Sequence, residues 1–169
     1  MAETRAALYH RVPFDRESYD RSVTTSPCFI CQIVAGTHPH QHHIVYRDEF
    51  AIAFLNRYPT LVGYTLVAPM EHREDVLTDF NSEGYLRLQD VVHRVGTAIQ
   101  AALPCERMYV LSLGSKQGNA HVHWHLAPLP PGVPYDEQQG RAISTERGYL
   151  EIPEADQAKL AEAIASALV

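Results

Sequence analysis

Apolar and polar residues change rhythm several times along the chain, and those changes outline its elements. Two runs rich in β-branched and aromatic residues, His43–Arg47 and Phe50–Leu55, meet at Arg47-Asp48-Glu49, a pattern that predicts a hairpin. Asn56-Arg57-Tyr58-Pro59 breaks the second run, and a third strand, Tyr64–Ala68, follows Gly63 and is closed by Pro69. Between Ser82 and Leu103 the period lengthens. Tyr85, Leu88, Val91, Val92, Val95, Ile99 and Ala102 recur at steps of three and four, which makes one apolar stripe along a helix. Ser82 is its expected N-cap, and Pro104 sits just past its end. Met108–Leu113 returns to strand character, and the loop from Gly114 to Asn119 leads into a strictly alternating stretch, His121–Leu126. A period of two sends His121, His123 and His125 to one face and Val122, Trp124 and Leu126 into a core on the other. Pro128, which has no N–H for a ladder, is expected to end the pairing, and the passage from Pro128 to Pro134 to hold no regular structure. A last helix from about Glu154 to Leu168 places Leu160, Ile164 and Leu168 on one face behind Pro153.

The ends of the chain read less clearly. Cys28–Ala35 has the look of a short helix stopped by Gly36, while residues 1–26 are polar and interrupted by Pro13 and predict an irregular extension with at most one short helical turn. The sum is one α+β domain: a five-stranded, mainly antiparallel sheet with one long helix packed on it. Its core spans residues 27–129, with an N-terminal extension over 1–26 and a C-terminal loop and helix over 130–169.

Composition narrows the function. The chain has 169 residues, enough for a single buried core. A net charge of −6 leaves no broad cationic surface for a nucleic-acid polymer or a membrane, so an anionic substrate must be held by local imidazoles, amides or a few cations. There is no apolar run of membrane-spanning length and no signal-peptide core. Three cysteines, two of them as Cys28-x-x-Cys31, argue against a disulfide framework, so the expected location is cytoplasmic.

Two clusters carry candidate chemistry. Cys28 and Cys31 suit a redox pair, half of a metal site or two buried thiols. Redox pairs of this spacing follow a strand in a βαβ unit, whereas this pair precedes the first strand. Zinc held by two cysteines and two histidines is the attractive reading, with His38, His40, His42, His43, His72, His93 and the three alternating histidines as candidates. His38 to His43 lie in a polar loop and are expected to be solvent-exposed, His93 to sit at the surface or core edge, and His72 to be folded back by a turn towards the cysteines. Along the alternating strand, neighbouring imidazoles lie roughly 7 Å apart, so two can share a metal but three in line cannot comfortably do so. The other use is nucleophilic: a neutral imidazole attacks phosphorus while a neighbouring group fixes its tautomer. Amides and side chains of Lys116-Gln117-Gly118-Asn119 would then bind phosphate oxygens.

His121-Val122-His123-Trp124-His125-Leu126-Ala127 resembles the signature of the histidine triad (HIT) family of nucleotide hydrolases and transferases. The similarity extends from Cys28 to Pro128 through Gly36-x-x-Pro39, Val45–Glu49, Ala53–Asn56, Gly63–Pro69 and His72. Asn56-Arg57-x-Pro59 is closer to the branch that cleaves dinucleoside polyphosphates than to the phosphoramidate branch. The resemblance implies a HIT-like fold, hydrolase or nucleotidyltransferase activity at an α-phosphate, and a covalent nucleotidyl–histidine intermediate, with a phosphorylase variant or a non-catalytic nucleotide-binding module as alternatives. It makes His123 the nucleophile, with His125 and Gln117 assisting at the phosphate. It places Asn56 at the ribose, Phe29, Ile30, Ile33, Phe54 and Leu66 around the base, and Lys116, Gly118 and Asn119 near the phosphates. It further implies structural Zn²⁺ on Cys28, Cys31, His72 and His121, a nucleotide partner and a homodimer. The sequence departs from the family at Tyr64, where many members carry histidine, at Lys116 and Gly118, and in a loop from Ser112 to Gln117 that looks short.

Overall fold

The computed structural model describes residues 9–169; the part of the predicted irregular extension that falls on residues 1–8 lies outside them. Five strands form one antiparallel sheet: β2 (Ile44–Arg47), β3 (Ala51–Leu55), β4 (Thr65–Pro69), β5 (Arg107–Ser115) and β6 (Gly118–Leu129), in the order β2-β3-β4-β6-β5. The hairpin between β2 and β3 turns on Asp48, whose carboxylate accepts from the Phe50 and Ala51 amides at 2.8 and 2.6 Å. One face of the sheet meets the long helix α3 (Ser82–Ala102) and the C-terminal helix α5 (Glu154–Ser166). There Val122, Trp124 and Leu126 pack with Val67 and with Leu88, Val95 and Ile99 of the helical stripe, as the alternation requires. The opposite face carries Ile52, Phe54, Leu66 and Ala127, covered by Ile30 and Ile33 of α2 (Phe29–Ala35). Gly36 ends α2 at φ 70°, where its N–H reaches the Gln32 and Ile33 carbonyls.

Several expectations are corrected. The extension is not irregular over its described part: α1 (Arg16–Thr25) runs ten residues, capped by Asp15, whose side chain accepts from the Ser18 amide. Before it, β1 (Arg11–Val12) pairs with β7 (Tyr149–Leu150), so the two ends of the chain are stitched together. Helix α3 is capped by Asn81, not Ser82; the Asn81 carboxamide oxygen accepts from Gly84 at 2.8 Å. Pro128 does not end β6. It stands opposite Met108 in the β5 ladder and beyond the last pairing with β4, Thr65 with Leu126, so no partner strand needs its missing N–H. The expected loop from Gly114 to Asn119 closes on just Lys116 and Gln117, with Gly114 in a bulge of β5. Gly114 has φ 128°, and a Cβ there would stand 2.7 Å from the Asn119 carbonyl oxygen, so only glycine fits. After Leu129 the chain forms the short helix α4 (Gly140–Ile143) between two turns of tighter helix before reaching β7.

Candidate functional site

Strand β6 delivers its three histidines to one face of the sheet, and the neighbouring elements give each a different setting. His121 is buried, with Nδ1 3.5 Å from the sulfurs of both Cys28 and Cys31. His72 brings its own Nδ1 to 3.4 Å from Cys31 Sγ. The four ligand atoms all lie within 4.8 Å of one another. Around a tetrahedral zinc with ordinary bond lengths, sulfur and nitrogen would stand about 3.6 Å apart, so these spacings fit such an ion. The outward nitrogens fit as well. His121 Nε2 lies 2.9 Å from the Pro69 carbonyl oxygen, and His72 Nε2 lies 3.1 Å from the Glu74 carboxylate. Each acceptor takes the Nε2 proton and leaves the Nδ1 lone pair facing the thiols, the usual second support of a metal-bound imidazole. Burial pushes the His121 imidazole down to about 4, and burial together with Cys28 pushes the Cys31 thiol up to about 11. A divalent cation would reverse that penalty for thiolates. The cluster can hold a metal ion that ties the start of α2 to β6 and to the segment that follows β4.

His123, two residues on, faces a separate cavity of ≈750 Å³. It is buried, with Nδ1 2.7 Å from the His121 carbonyl oxygen. A carbonyl only accepts, so Nδ1 carries the proton and Nε2 holds a free lone pair. Burial lowers the His123 imidazole below its ordinary range, and the bond to the His121 carbonyl works in the other direction. The ring is therefore neutral near pH 7.

His125 lines the same cavity, with Nδ1 3.0 Å from the Tyr64 hydroxyl. Tyr64 is buried, and burial pushes its phenol up, so it stays protonated and can donate. If it donates to Nδ1, His125 carries its own proton on Nε2, a buried atom without a partner among the described residues. The opposite tautomer would strand both the phenol hydrogen and the Nε2 lone pair, two unmet groups instead of one. Burial, then His123, pushes His125 down to about 3, so this ring too is neutral. One imidazole thus offers a lone pair and its neighbour, with centroids 4.8 Å apart, offers an N–H.

The remaining expected site residues divide. Phe29, Phe54, Asn56, Leu66 and Asn119 line the His123 cavity, and the Phe29 ring centroid is 6.1 Å from that of His123. Asn56 uses its carboxamide oxygen to accept from the Tyr58 amide at 3.0 Å. Ile30 and Ile33 do not line the cavity; both are buried in the core that α2 forms with the same face of the sheet. Gln117, Lys116 and Gly118 line an adjoining cavity with Cys28 and His121 instead, and Asn119 borders both. Helix α1 packs Val23 and Thr24 against Gly118 at the side of the hairpin tip, and Val23 borders both cavities. Nor are all the histidines from His38 to His43 solvent-exposed. His43 is buried, and His42 is half-buried against Phe54, its Nε2 2.9 Å from His38 Nδ1. His93 is exposed. Sequence reasoning missed the aromatic side of the cavity, Phe14, Tyr19, Tyr58 and Tyr149. These residues are scattered over the chain, and only their shared aromaticity could have singled them out.

Residues 38–131 match the HIT domain family, more than half of the chain, and the chain belongs to that family. It is 31% identical over 140 residues to an uncharacterised HIT-like protein of Mycoplasma genitalium, an alignment that spans 78% of this chain and 95% of that one. Among solved structures, it is similar to a hypothetical histidine triad nucleotide-binding protein from Sulfolobus tokodaii, with TM-score 0.66 and 24% identity over 83% of this chain and 91% of that one. A Zn-bound histidine triad family protein from Mycobacterium smegmatis gives TM-score 0.63 and 25% identity over the same shares. Family membership assigns the chain a function of the nucleotide-binding or hydrolase type. No described helix is long and apolar enough to cross a membrane.

Proposed function

We propose that this protein is a nucleotide hydrolase or nucleotidyltransferase acting at the α-phosphate of a nucleoside phosphate derivative, foremost a dinucleoside polyphosphate. The observation that carries the reading is the pair of neutral imidazoles in one cavity, one with a free lone pair and the other with an unmet N–H. His123 Nε2 attacks the α-phosphorus, the P–O bond to the leaving group breaks, and its electron pair departs on the leaving oxygen. His125 Nε2–H binds phosphate oxygen, where charge shifts during the transfer. Water then attacks phosphorus and gives up one proton to solvent, the P–N bond breaks with its electron pair returning to Nε2, and neutral His123 is restored. Phe29, Phe54 and Leu66 form the base slot in this reading, and Asn56 lies near the ribose.

Zinc on Cys28, Cys31, His72 and His121 belongs to the same proposal. When bound it supplies cross-linking of the fold and takes no part in the transfer. We further take the protein to be cytoplasmic and a homodimer; Val110 and Leu113, exposed along the edge strand β5, are consistent with a second copy pairing there.

His123→Ala should abolish nucleotide turnover by several orders of magnitude while the circular dichroism spectrum stays native. Unchanged turnover would refute the mechanism. The placement of Gln117 outside the His123 cavity favours a second reading, a nucleotide-binding module without turnover. Acid quenching with labelled substrate separates the two, because only the enzyme accumulates a phosphorus–histidine adduct.

A further inference from the structure

The cavity over His123 and His125 has two groups of aromatic rings. One is Phe29 and Phe54, extended by the His42 imidazole, with ring centroids 6.4 and 5.8 Å from that of Phe54. The other is Phe14, Tyr19, Tyr58 and Tyr149, whose centroids lie 5.1 to 6.3 Å apart in tilted and edge-on contacts. No ring contact joins the two groups among the described residues. The second group is assembled from four places: the residue before the capping Asp15, helix α1, the turn after β3, and strand β7. Three of its members, Phe14, Tyr19 and Tyr149, fall outside residues 38–131 that match the family. A core cluster would be sealed, yet all four rings are only half-buried and all four line the cavity. Tyr19 is held in place by Asn119, which donates to its hydroxyl at 2.9 Å, so this wall is pinned to β6 beside the histidines.

A ligand with a single base can cover only one of these groups. Arg57 borders the same cavity, its guanidinium carbon 5.3 Å from the centroid of the Tyr58 ring, and it makes no ion pair among the described residues. It supplies a free positive charge next to the aromatic wall in a chain of net charge −6.

We propose that the wall formed by Phe14, Tyr19, Tyr58 and Tyr149 is a leaving-group subsite that stacks a second nucleobase, with Arg57 beside the phosphate chain that links it to the reacting nucleotide. The assignment rests on the reading of the site as one for nucleotides, and it makes the two ends of the chain the source of leaving-group selectivity. Aromatic faces suit this role because every base has a flat face to stack on them.

Titration calorimetry with three non-scissile ligands tests it: methylene-bridged diadenosine tetraphosphate, the same chain ending in a bare ribose, and the same chain capped by phenyl. The diadenosine compound should bind roughly tenfold more tightly than the ribose-capped one, the size expected of one base–ring stack. Tyr149→Leu and Phe14→Leu, which keep apolar bulk but remove the flat face, should close most of that gap. Tyr149→Phe should keep it. Loss of packing alone would weaken all three ligands alike and leave the gap intact, an outcome that overturns the subsite. Equal binding of the diadenosine and ribose-capped compounds to the unaltered protein overturns it too, while leaving the nucleotide reading standing. A phenyl cap that matches adenosine overturns the nucleobase assignment. Binding of none of the three overturns both readings together.

Discussion

At the scale of single residues, the site depends on which ring nitrogen carries a proton. Two hydrogen bonds decide it: the His121 carbonyl fixes His123, and the Tyr64 hydroxyl fixes His125. Tyr64, as a buried phenol, does the orienting work with a donor that does not titrate near neutrality. Tyr64→Phe removes that donor and frees His125 to change tautomer. We expect kcat to fall about five- to tenfold, the worth of one hydrogen bond of ~1 kcal/mol, with KM little changed. Nitrogen-15 shifts of the His125 ring should show the proton redistributed between Nδ1 and Nε2; an unaltered ring spectrum would contradict the assignment.

At the scale of elements, β6 contributes histidines to both halves of the site, and the bulge at Gly114 shifts the register of β5 against it. A Cβ at Gly114 would press on the Asn119 carbonyl and lie 3.9 Å from His123 Cε1. Gly114→Ala should therefore cost about 1–3 kcal/mol in urea unfolding and also lower turnover. Gly132→Ala separates the causes. Gly132 also has positive φ (84°) but open space around it, so its alanine variant should cost less and leave turnover intact. Helix α2 depends on a different anchor. If zinc joins it to the sheet, Cys28→Ser should abolish metal content measured by atomic emission and lower Tm, and chelation should reproduce the Tm loss in the unaltered protein. A metal-free protein with undiminished Tm would remove the proposed cross-link.

At the scale of the whole molecule, burial of imidazoles makes stability depend on pH above the range where carboxylates titrate. Burial, with help from His38, Arg57 and His40, pushes His42 down to about 4, and burial pushes His125 to about 3, from the ordinary value of 6.5. The unfolded chain then takes up protons that the native chain refuses. Stability should fall as pH drops from about 6.5 to about 4, by at most ~1.4 kcal/mol per pH unit for each ring. Asp48, Asp75 and Asp79 are held below their usual range by hydrogen bonds from backbone amides, so their contribution disappears only at lower pH still. Urea midpoints measured across pH 4–7 should show the slope, and His42→Phe should flatten it; a profile unchanged by that substitution would rule His42 out as a source.

The alternating histidines, the stripe of α3 and the strands of the central sheet were legible in the chain because each is a local rhythm of side chains, set by strand and helix geometry alone. The four ligand atoms of the Cys28 cluster were legible by likeness to a family pattern, and the fold brings them together. Pairing between distant segments has no such local mark. Nothing in residues 9–26 or 130–150 announces that β1 meets β7, that α1 packs on the hairpin tip, that Gln117 lines the neighbouring cavity, or that four scattered rings share one wall. Ile30 and Ile33 show the same limit, since an apolar helix residue facing a core and one facing a ligand look alike until the sheet is placed beneath them. Periodicity and residue chemistry determined the sheet, the long helix and the shared face of three imidazoles, and the resemblance to the family supplied the role proposed for each. Long-range packing alone decided what surrounds those imidazoles, because it depends on contacts between residues as far as a hundred positions apart, such as the Tyr19 hydroxyl and Asn119.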